Sequence, residues 1–481
     1  MTSTASDDAY QSPLTGRYAS PEMSAIFGPH HRARIWRRLW IALAESEREL
    51  GLDISEAAID QMKASVDKID LARVAEIEAE TRHEVMAHIR QFGESAAAAG
   101  GVIHLGATSA FVMDNGDLVQ HREAMQLLRR RILGLIAVFR DLAVRHRADP
   151  ATGYTHLQPA QPTTIGKRVT LWCQDLLLDL EEIDFRLRTL RFRGARGATG
   201  TEASFLQLFD GDSGKVDRLN SLIAERMGFI ETYAVSSQTY PRKVDAALLA
   251  TLSGIAASLS KFSHDVRLLQ SFGELEEPFG ETQVGSSAMA HKRNPMRSER
   301  ISALARHVIV LALDPAVTAA TQWLERSLDD SANKRIAVPE AYLATDSILR
   351  LAHNVAAGLK VFPEASARHL EEHLPALAAE PILLLATALG GDRQQLHERI
   401  RRHAMQATER VRRGESNDLV ERLAGDPEIG IPREELERVI QPAAMVGRAP
   451  EQVDRFVAEW VDPVLEENRK EIDARVPALS V

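Results

Sequence analysis

Four polar stretches of this sequence contain side chains that could transfer protons. They are Thr81-Arg82-His83-Glu84, His104-Leu-Gly-Ala-Thr108-Ser109, Gly153-Tyr-Thr155-His156-Leu-Gln158, and Gly285 through Pro295. Each stretch includes a histidine, the side chain whose ordinary pKa lies nearest to neutrality. A single histidine between helices is usually a hydrogen-bonded structural residue. Four such stretches together, the last with a pair of serines, favour acid/base catalysis at a shared site.

Long helices must position these stretches. Apolar residues recur at alternating steps of four and three in the segments 128–142, 169–190 and 248–269, which is the spacing of helices packed in a bundle. Further helices are expected at about 300–313 and 339–360, and Pro162 is expected in the first turn of the helix that carries the second seam. Strand signals are few, so the sequence predicts an all-α fold. Helices of about 25–30 residues span roughly 40 Å, which suggests association with neighbouring chains.

Two segments that interrupt the predicted helices divide the chain into three regions. With 481 residues it exceeds the size of a single hydrophobic core, so two or three domains are expected. A glycine-rich segment from Gly100 to Ser109 and a break at Phe362-Pro363 separate them. The predicted regions are 1–108 with shorter helices, 109–361 with the long helices, and 362–481 with a second set of shorter helices.

Composition excludes several classes of protein. Cys173 is the only cysteine, so no intrachain disulfide can form and a reducing cytoplasm is expected. The formal charge of −10 disfavours nonspecific nucleic-acid binding. The N-terminus lacks a secretory pattern, and no run of about 18 apolar residues occurs. Arginines gather near positions 297–300 and 326–335; these clusters fit either a small anion or a solvated helix face.

The usual cofactor and metal motifs are missing from the sequence. Gly194, Gly197 and Gly200 are spaced by three after a helix and do not match the dinucleotide-binding pattern. Neither a phosphate-binding loop with Gly-Lys-Ser/Thr nor a Gly-x-Ser-x-Gly elbow occurs. His83 and His88 are five residues apart, so they do not share one helix face as zinc ligands would. No metal or organic cofactor is expected.

The serine-rich loop carries a family resemblance. Its pattern Gly285-Ser286-x-x-Met289-x-x-Lys292-x-Asn294 resembles the signature of the fumarase/aspartase superfamily, whose members eliminate fumarate from C4-dicarboxylate adducts. Further segments at 12–23, 155–156, 237–244, 292–300 and 325–335 are similar to adenylosuccinate lyases of the type found in animals. The resemblance extends over about residues 12–470.

This resemblance implies a fold, an assembly and a reaction. The implied subunit is all-helical with three domains, and its central long-helix bundle forms the core of a homotetramer. Each active site would take loops from three subunits. The implied substrates are small succinyl-amino nucleotides: adenylosuccinate, which gives AMP and fumarate, and the succinyl-aminoimidazole carboxamide ribonucleotide of purine biosynthesis. No metal, organic cofactor, nucleic acid or membrane partner is implied.

The resemblance also assigns catalytic roles. Ser286 would remove a proton from the carbon beside a carboxylate, and His156 would protonate the departing nitrogen. Because a serine hydroxyl is almost wholly protonated at neutral pH, Lys292 and backbone N–H groups of the loop would stabilise its alkoxide. Glu299 would orient and polarise His156.

Substrate-binding residues follow from the same match. Thr108, Ser109, Lys292 and Asn294 match positions that hold the succinyl carboxylates. Arg17, Tyr18, Arg326, Ser331 and Arg335 match positions that bind the nucleotide phosphate, for which arginine is well suited. Further substrate-contacting positions are Arg82, His83, Glu84, His104, Thr155, Gln238 and Arg300.

Two alternatives and two departures accompany this interpretation. Another superfamily lyase, such as argininosuccinate lyase, would share the serine loop, and a structural protein could keep the fold without activity. Ala290 stands where the superfamily loop usually has proline, which would give the loop more freedom. Glu202 stands where close relatives have glutamine; its added charge could weaken a nearby anion site or could face water.

Overall fold

The computed structural model describes residues 9–280, 283, 288–289, 291–472 and 479. The N-terminal region consists of short helices around one longer one. A π-helical turn at Leu14–Tyr18 precedes α1 (Pro21–Ile26), α2 (Pro29–Glu49), α3 (Glu56–Ala64), α4 (Leu71–Thr81), α5 (Glu84–Ser95) and a 3₁₀ turn at Ala97–Ala99.

The middle of the chain contains the long helices. Its elements are α6 (Ser109–Arg145), β1 (Pro150–Thr155), β2 (Gln158–Thr164), α7 (Ile165–Thr189), α8 (Ala203–Leu208), α9 (Ser213–Arg226), α10 (Lys243–Ser271), β3 (Leu275–Glu276), α11 (Met296–Leu311), α12 (Leu313–Thr321), α13 (Asp330–Ala357) and β4 (Lys360–Val361). Strands β1 and β2 form an antiparallel hairpin, and β3 pairs with β4.

Shorter helices return in the last part of the chain. They are α14 (Pro363–Leu377), α15 (Ala379–Ala388), α16 (Arg393–Arg412), α17 (Leu419–Ala424), α18 (Arg433–Val439), α19 (Pro442–Met445) and α20 (Ala449–Phe456), followed by a π-helical turn at Val457–Val461 and by α21 (Asp462–Glu467). The predicted all-α class is confirmed, because the strands are short and few among the described residues.

The three apolar seams form the core of the bundle. Every seam residue predicted on α6 and α10 is buried, as are the first five on α7. Helices α6 and α7 pack closely where α7 begins, since a Cβ at Gly166 would lie 2.4 Å from the carbonyl oxygen of Ala143. Glycine is therefore required at that crossing.

Side-chain caps begin several of these helices. Ser55, Asp70, Thr164 and Asp212 each accept a hydrogen bond from the backbone N–H three residues later, at the start of α3, α4, α7 and α9. Such caps satisfy N–H groups that have no partner within the helix. These caps determine where the helices begin, and the capping residues can be recognised from the sequence.

One local expectation was wrong. Pro162 lies in β2, paired with Thr152, rather than in the first turn of α7; proline is compatible with the edge strand of a two-stranded hairpin. The helices expected at about 300–313 and 339–360 are present as α11 and α13, and both begin earlier, at Met296 and Asp330. Pro339 is accommodated inside α13.

The hydrophobic core of the described residues has three large clusters. The largest joins α6, α7, α10, α11 and α13, and includes residues of the chain's last helices. The second combines α2, α3, α5 and the start of α6 with residues between 192 and 240. The third lies entirely between 370 and 440. Helix α6 begins at Ser109 and α14 at Pro363; the division into three domains stays a prediction.

By length and composition, two helical segments could cross a membrane, Lys243–Ser271 and Met296–Thr321. Half of the apolar window of the first segment is buried, and its seam packs in the bundle core. The window of the second is 28% buried, so most of its apolar surface faces outward. Core helices pass the same test, which makes it weak evidence for a membrane.

Candidate active site

A cavity of about 120 Å³ lies between α2, α6 and the start of α13. Arg326, Ser331 and Arg335 all line it. These are three of the five residues expected to bind phosphate, and they are brought together because Ser331 and Arg335 lie on successive turns of α13. The fold therefore gathers two of the three expected phosphate-binding arginines, Arg326 and Arg335, at one cavity, and Arg17 is not among its lining residues.

Buried ion pairs form the wall of this cavity. Arg242, which precedes α10, donates to Asp114 of α6 at 3.2 Å and to Asp330 of α13 at 2.5 Å. Lys334 pairs with Asp117 at 2.5 Å. Although burial would raise the pKa of Asp114, Arg242 and Lys334 hold it below its usual range. These pairs tie α6 and the start of α10 to the first turns of α13.

His121 also lines the cavity but is held in a structural network. Its Nδ1 lies 3.0 Å from the hydroxyl of Tyr342, and its Nε2 lies 3.0 Å from Asp245 Oδ1. The hydroxyl of Tyr240 donates to the same carboxylate at 2.6 Å. Because its ring nitrogens contact Tyr342 of α13 and Asp245 of α10, this histidine joins α6 to both helices.

The junction of α4 and α5 contacts two residues that line the cavity. Arg82 ends α4 in the left-handed conformation with φ 52°, and the ring of His83 accepts from the N–H of Met86 to begin α5. Glu84 accepts hydrogen bonds from Arg32 at 2.8 Å and from Arg335 at 2.6 Å, and both arginines line the cavity. The structure thus connects Glu84 to Arg335, one of the residues expected to bind phosphate.

His104 adopts a left-handed backbone with φ 71° near this junction. Its Nδ1 accepts a hydrogen bond from Trp40 Nε1 at 2.9 Å. Burial, followed by the nearby His83, lowers the pKa of His104 to about 4. The ring is therefore neutral at physiological pH, and since Nδ1 is an acceptor, Nε2 carries the proton.

The first turn of α6 presents Thr108 and Ser109. Thr108 precedes the helix, its side chain makes no capping bond, and its buried Oγ1 has no hydrogen-bond partner among the described residues. The N-terminus of this 37-residue helix favours negative charge. A carboxylate would find a hydroxyl and free backbone N–H groups there.

Two contacts join expected site residues to distant segments of the chain. The backbone N–H of Gln238 donates to the carbonyl of Glu325 at 3.2 Å, which joins its loop to the segment of Arg326. The guanidinium of Arg300 lies 5.6 Å from the ring of Tyr18. Arg17, beside Tyr18, is exposed on the π-helical turn.

His156 lies at the tip of the β1–β2 hairpin. His156 and Leu157 form its two-residue turn with φ values of 54° and 55°, the pattern of a type I′ turn. Glycine or asparagine usually occupies such positions, and other side chains are strained there. Thr155, His156 and Leu157 are all exposed, so the hairpin presents the histidine outward from this subunit.

The serine loop is described in part. Ser286 and Ala290 lie outside the described residues. Lys292 and Glu299 are exposed, Asn294 is half-buried, and the backbone N–H of Glu299 donates to the carbonyl of Pro295 at 2.9 Å. Within the described part of this single chain, no hydrogen bond or ion pair joins His156 to Glu299. Their expected pairing is not formed inside one subunit.

Glu202 follows neither expectation stated for it. Its carboxylate accepts from Arg196 at 2.6 Å and from Asn220 at 2.9 Å. The negative charge of Glu202 is therefore neutralised by Arg196 within the subunit. Its negative charge is matched locally by a guanidinium and does not simply face water.

Sequence reasoning missed several residues that build this cavity. Arg242 and Lys334 stand inside the family-like segments 237–244 and 325–335, one or a few positions from the residues chosen. Asp114, Asp117 and His121 recur at steps of three and four, which places them on one face of α6. That polar stripe was a readable signal. No comparable sequence pattern indicated that Arg32 would line the cavity.

Comparisons with known proteins agree over nearly the whole chain. A family model described as "Lyase" matches residues 16–310, and one described as "Adenylosuccinate lyase C-terminus" matches residues 375–456. The chain is 44% identical over 478 residues to adenylosuccinate lyase of Saccharomyces cerevisiae, with 98% of this chain and 99% of that protein covered. It is 45% identical over 462 residues to the one of Schizosaccharomyces pombe, with 95% and 96% covered. In fold it is similar to a fumarate lyase from Mesorhizobium sp. BNC1, with a TM-score of 0.81, 24% identity, and coverage of 94% and 100%.

Proposed function

The chain belongs to the adenylosuccinate lyase family of the fumarase/aspartase superfamily and is a lyase, and we propose that it releases fumarate from two succinyl-amino nucleotides. These are adenylosuccinate, which gives AMP, and the succinyl-aminoimidazole carboxamide ribonucleotide of purine biosynthesis. Both carry a phosphate, a ribose and a succinyl group, so one site with an anion pocket at each end would accept either.

The cationic cavity is the observation that carries this proposal. Arg326, Ser331 and Arg335 line it together, and the start of α6 with Thr108 lies within the same part of the subunit. Guanidinium groups bind phosphate through paired, charge-assisted hydrogen bonds. The N-terminus of a long helix suits a carboxylate. The two ends of a succinyl-amino nucleotide would thus each meet positive charge.

We propose acid/base roles for two residues. Ser286 would remove the proton from the carbon beside a succinyl carboxylate, while His156 protonates the nitrogen as the C–N bond breaks. Electrons from the C–H bond would first form a carbanion stabilised by its carboxylate and would then form the double bond of fumarate. Lys292 and Asn294 would meet the charge that develops on the carboxylate.

We further propose that active sites are shared between subunits of a homotetramer. The exposed His156 turn and the exposed Glu299, which form no hydrogen bond with each other in the described part of the chain, support this, because another subunit could supply the partner of each. Large apolar side chains are exposed along α7 at Leu171, Leu178 and Phe185, one heptad apart. Val310, Leu313 and Val317 are further exposed apolar side chains, on α11 and α12. Because charged residues interrupt this helical segment, we propose that another subunit covers it and not a membrane.

A coupled set of assays tests the reaction. Purified protein should form fumarate from adenylosuccinate, followed spectrophotometrically, and none from argininosuccinate. Ser286→Ala should abolish turnover while the fold and the tetramer persist. If fumarate forms from argininosuccinate instead, the substrate assignment is wrong, and if neither substrate reacts, the chain has kept the fold without this activity.

Subunit mixing tests the shared site. Ser286→Ala and His156→Ala proteins should each be inactive, yet refolding them together should restore about a quarter of the wild-type activity if the two residues come from different chains. A mixture that stays inactive, although sedimentation shows mixed tetramers, would place both residues in one subunit.

We expect the protein to act in the cytoplasm. Its single cysteine, Cys173, is buried, and burial raises the pKa of its thiol to about 12. Such a thiol neither forms disulfides nor reacts readily. Cell fractionation with a tagged chain would test the location, and activity that persists after chelator treatment would support the expectation that no metal is required.

A further inference from the structure

Arg32 is a cavity-lining cation that the sequence did not single out. It projects from α2, and its guanidinium lies 5.4 Å from the centre of the Trp36 ring. Its Nη2 donates to Glu84 Oε1 at 2.8 Å. The other oxygen of that carboxylate accepts from Arg335 at 2.6 Å. One carboxylate therefore holds two guanidinium groups beside the cavity.

The charges around the cavity separate into two sets. Arg242 is bound by Asp114 and Asp330, and Lys334 is bound by Asp117. The side chains of Arg242, Asp114 and Asp330 are at least 97% buried, so their charges serve to hold the helices together. With two cations and three carboxylates, this set carries one net negative charge.

The second set has an excess of positive charge. Arg326 forms no ion pair with any residue in the described part of the chain, and Arg32 and Arg335 share Glu84. Three guanidinium groups thus face one carboxylate, which leaves two positive charges. A phosphate monoester carries about −1.5 to −2 at neutral pH. When the net negative charge of the first set is included, the cavity keeps one positive charge, and without Arg32 it would keep none.

We propose that Arg32 is a phosphate-binding residue, acting with Arg326 and Arg335 on the nucleotide phosphate. This inference rests on the proposed function and adds a residue to that site. Glu84 joins the guanidinium groups of Arg32 and Arg335 through the two oxygens of one carboxyl group, a spacing that two oxygens of a phosphate can also bridge. Trp36 restricts where Arg32 can move, so the arginine is held ready in the unliganded subunit.

Calorimetric titration of the intact protein with AMP and with adenosine tests this role. Arg32→Gln should weaken AMP binding about tenfold or more, the loss of one charge-assisted contact, and should leave adenosine binding within about twofold. Arg32→Lys keeps the charge but loses the planar fork, so a smaller, severalfold loss is expected. Inhibition by inorganic phosphate should weaken in the same order.

Arg34→Gln is a matched control. Arg34 lies two residues away on α2, pairs with Asp67 at 2.5 Å, and is not part of the cavity lining. Its loss should leave AMP binding unchanged. If Arg32→Gln does not fold, as judged by its melting profile and sedimentation, the lysine variant alone decides, because its AMP affinity must fall while its adenosine affinity does not.

Three outcomes overturn the inference. Arg32→Gln and Arg32→Lys could bind AMP as tightly as Arg34→Gln does, or could weaken AMP and adenosine equally, which would indicate packing on Trp36 rather than phosphate binding. Wild-type protein that fails to bind AMP would refute both this inference and the proposed function. Wild-type protein that binds AMP but forms no fumarate would refute the proposed reaction, while the AMP titrations would still decide the role of Arg32.

Discussion

Glu47 of α2 should lower the free energy of unfolding of this protein at neutral pH, and its replacement by an uncharged residue should raise it. The side chain of Glu47 is fully buried, and neither of its carboxylate oxygens has a hydrogen-bond partner among the described residues. Burial raises its pKa from 4.5 to about 9. The folded protein therefore keeps Glu47 protonated at neutral pH, whereas the unfolded chain releases that proton.

The size of the effect follows from the two pKa values. Below pH 4.5 both states are protonated and there is no penalty; between pH 4.5 and 9 the unfolded state binds fewer protons, so the free energy of unfolding falls as pH rises. At about 1.4 kcal/mol for each pH unit, Glu47 costs about 3 kcal/mol at pH 7. Near pH 9 the cost approaches an upper limit of about 6 kcal/mol.

Urea unfolding at two pH values measures this cost. Glu47→Gln keeps the shape of the side chain but has no proton to lose, so its unfolding midpoint should exceed that of the wild type by a wide margin at pH 8.5 and by a small one at pH 5. Tryptophan fluorescence reports the transition, because Trp36 and Trp40 are buried on the same helix. Only the difference between variants is interpreted, since a large protein of this kind need not unfold in two states.

Glu49→Gln is the control for this experiment. Glu49 lies on the same helix, is 47% exposed, and pairs with Arg226 at 2.7 Å. Its substitution should change the midpoint little and with no such pH dependence. The reasoning fails if Glu47→Gln gains the same amount at both pH values, which would mean that folding does not shift the pKa of Glu47. It also fails if Glu47→Gln loses stability at pH 8.5, which would mean that the buried carboxyl group is ionised with a partner.

Three further outcomes are expected from the structure. Arg242→Met should destabilise the protein by about 3–5 kcal/mol in urea unfolding, because Asp114 and Asp330 would be left buried without their cation; an unchanged midpoint would contradict this. Burial lowers the pKa of His88 from 6.5 to about 4, so the free energy of unfolding should fall by up to about 3 kcal/mol as pH drops through that window, and His88→Gln should show a shallower loss between those pH values. Gly166→Ala should lower the melting temperature sharply, because its Cβ would lie 2.4 Å from a backbone oxygen of α6; a normal melting profile would mean that the helices separate at little cost.

The helical framework was largely predictable from the sequence. The seams on α6, α7 and α10 were found because burial in a bundle imposes a fixed apolar spacing, and that spacing does not depend on which partners pack there. The error at Pro162 has a physical cause. Proline restricts its own φ and removes an N–H, which is compatible with a helix start, an edge strand or a tolerated interior position. Neighbouring residues cannot choose between these.

The candidate site was predictable in part, through resemblance. Arg326, Ser331 and Arg335 were expected to act together, and they line one cavity. The roles of Ser286 and His156 stay predictions. Glu202 could not be interpreted from sequence because its neutralising partner, Arg196, reaches it through the folding of a loop.

By itself, the sequence determined the family, the all-α class and the polar segments that carry chemistry, because these depend on local spacing and on residue types. The tertiary structure decided which charges are free. Arg242 and Lys334 resemble Arg326 in sequence, yet the first two are neutralised by carboxylates from α6 that lie more than a hundred residues away, or by Asp330 of α13. Electrostatic pairing acts over a few ångströms of space and is indifferent to distance along the chain, so only the folded subunit separates a structural cation from one available to a ligand.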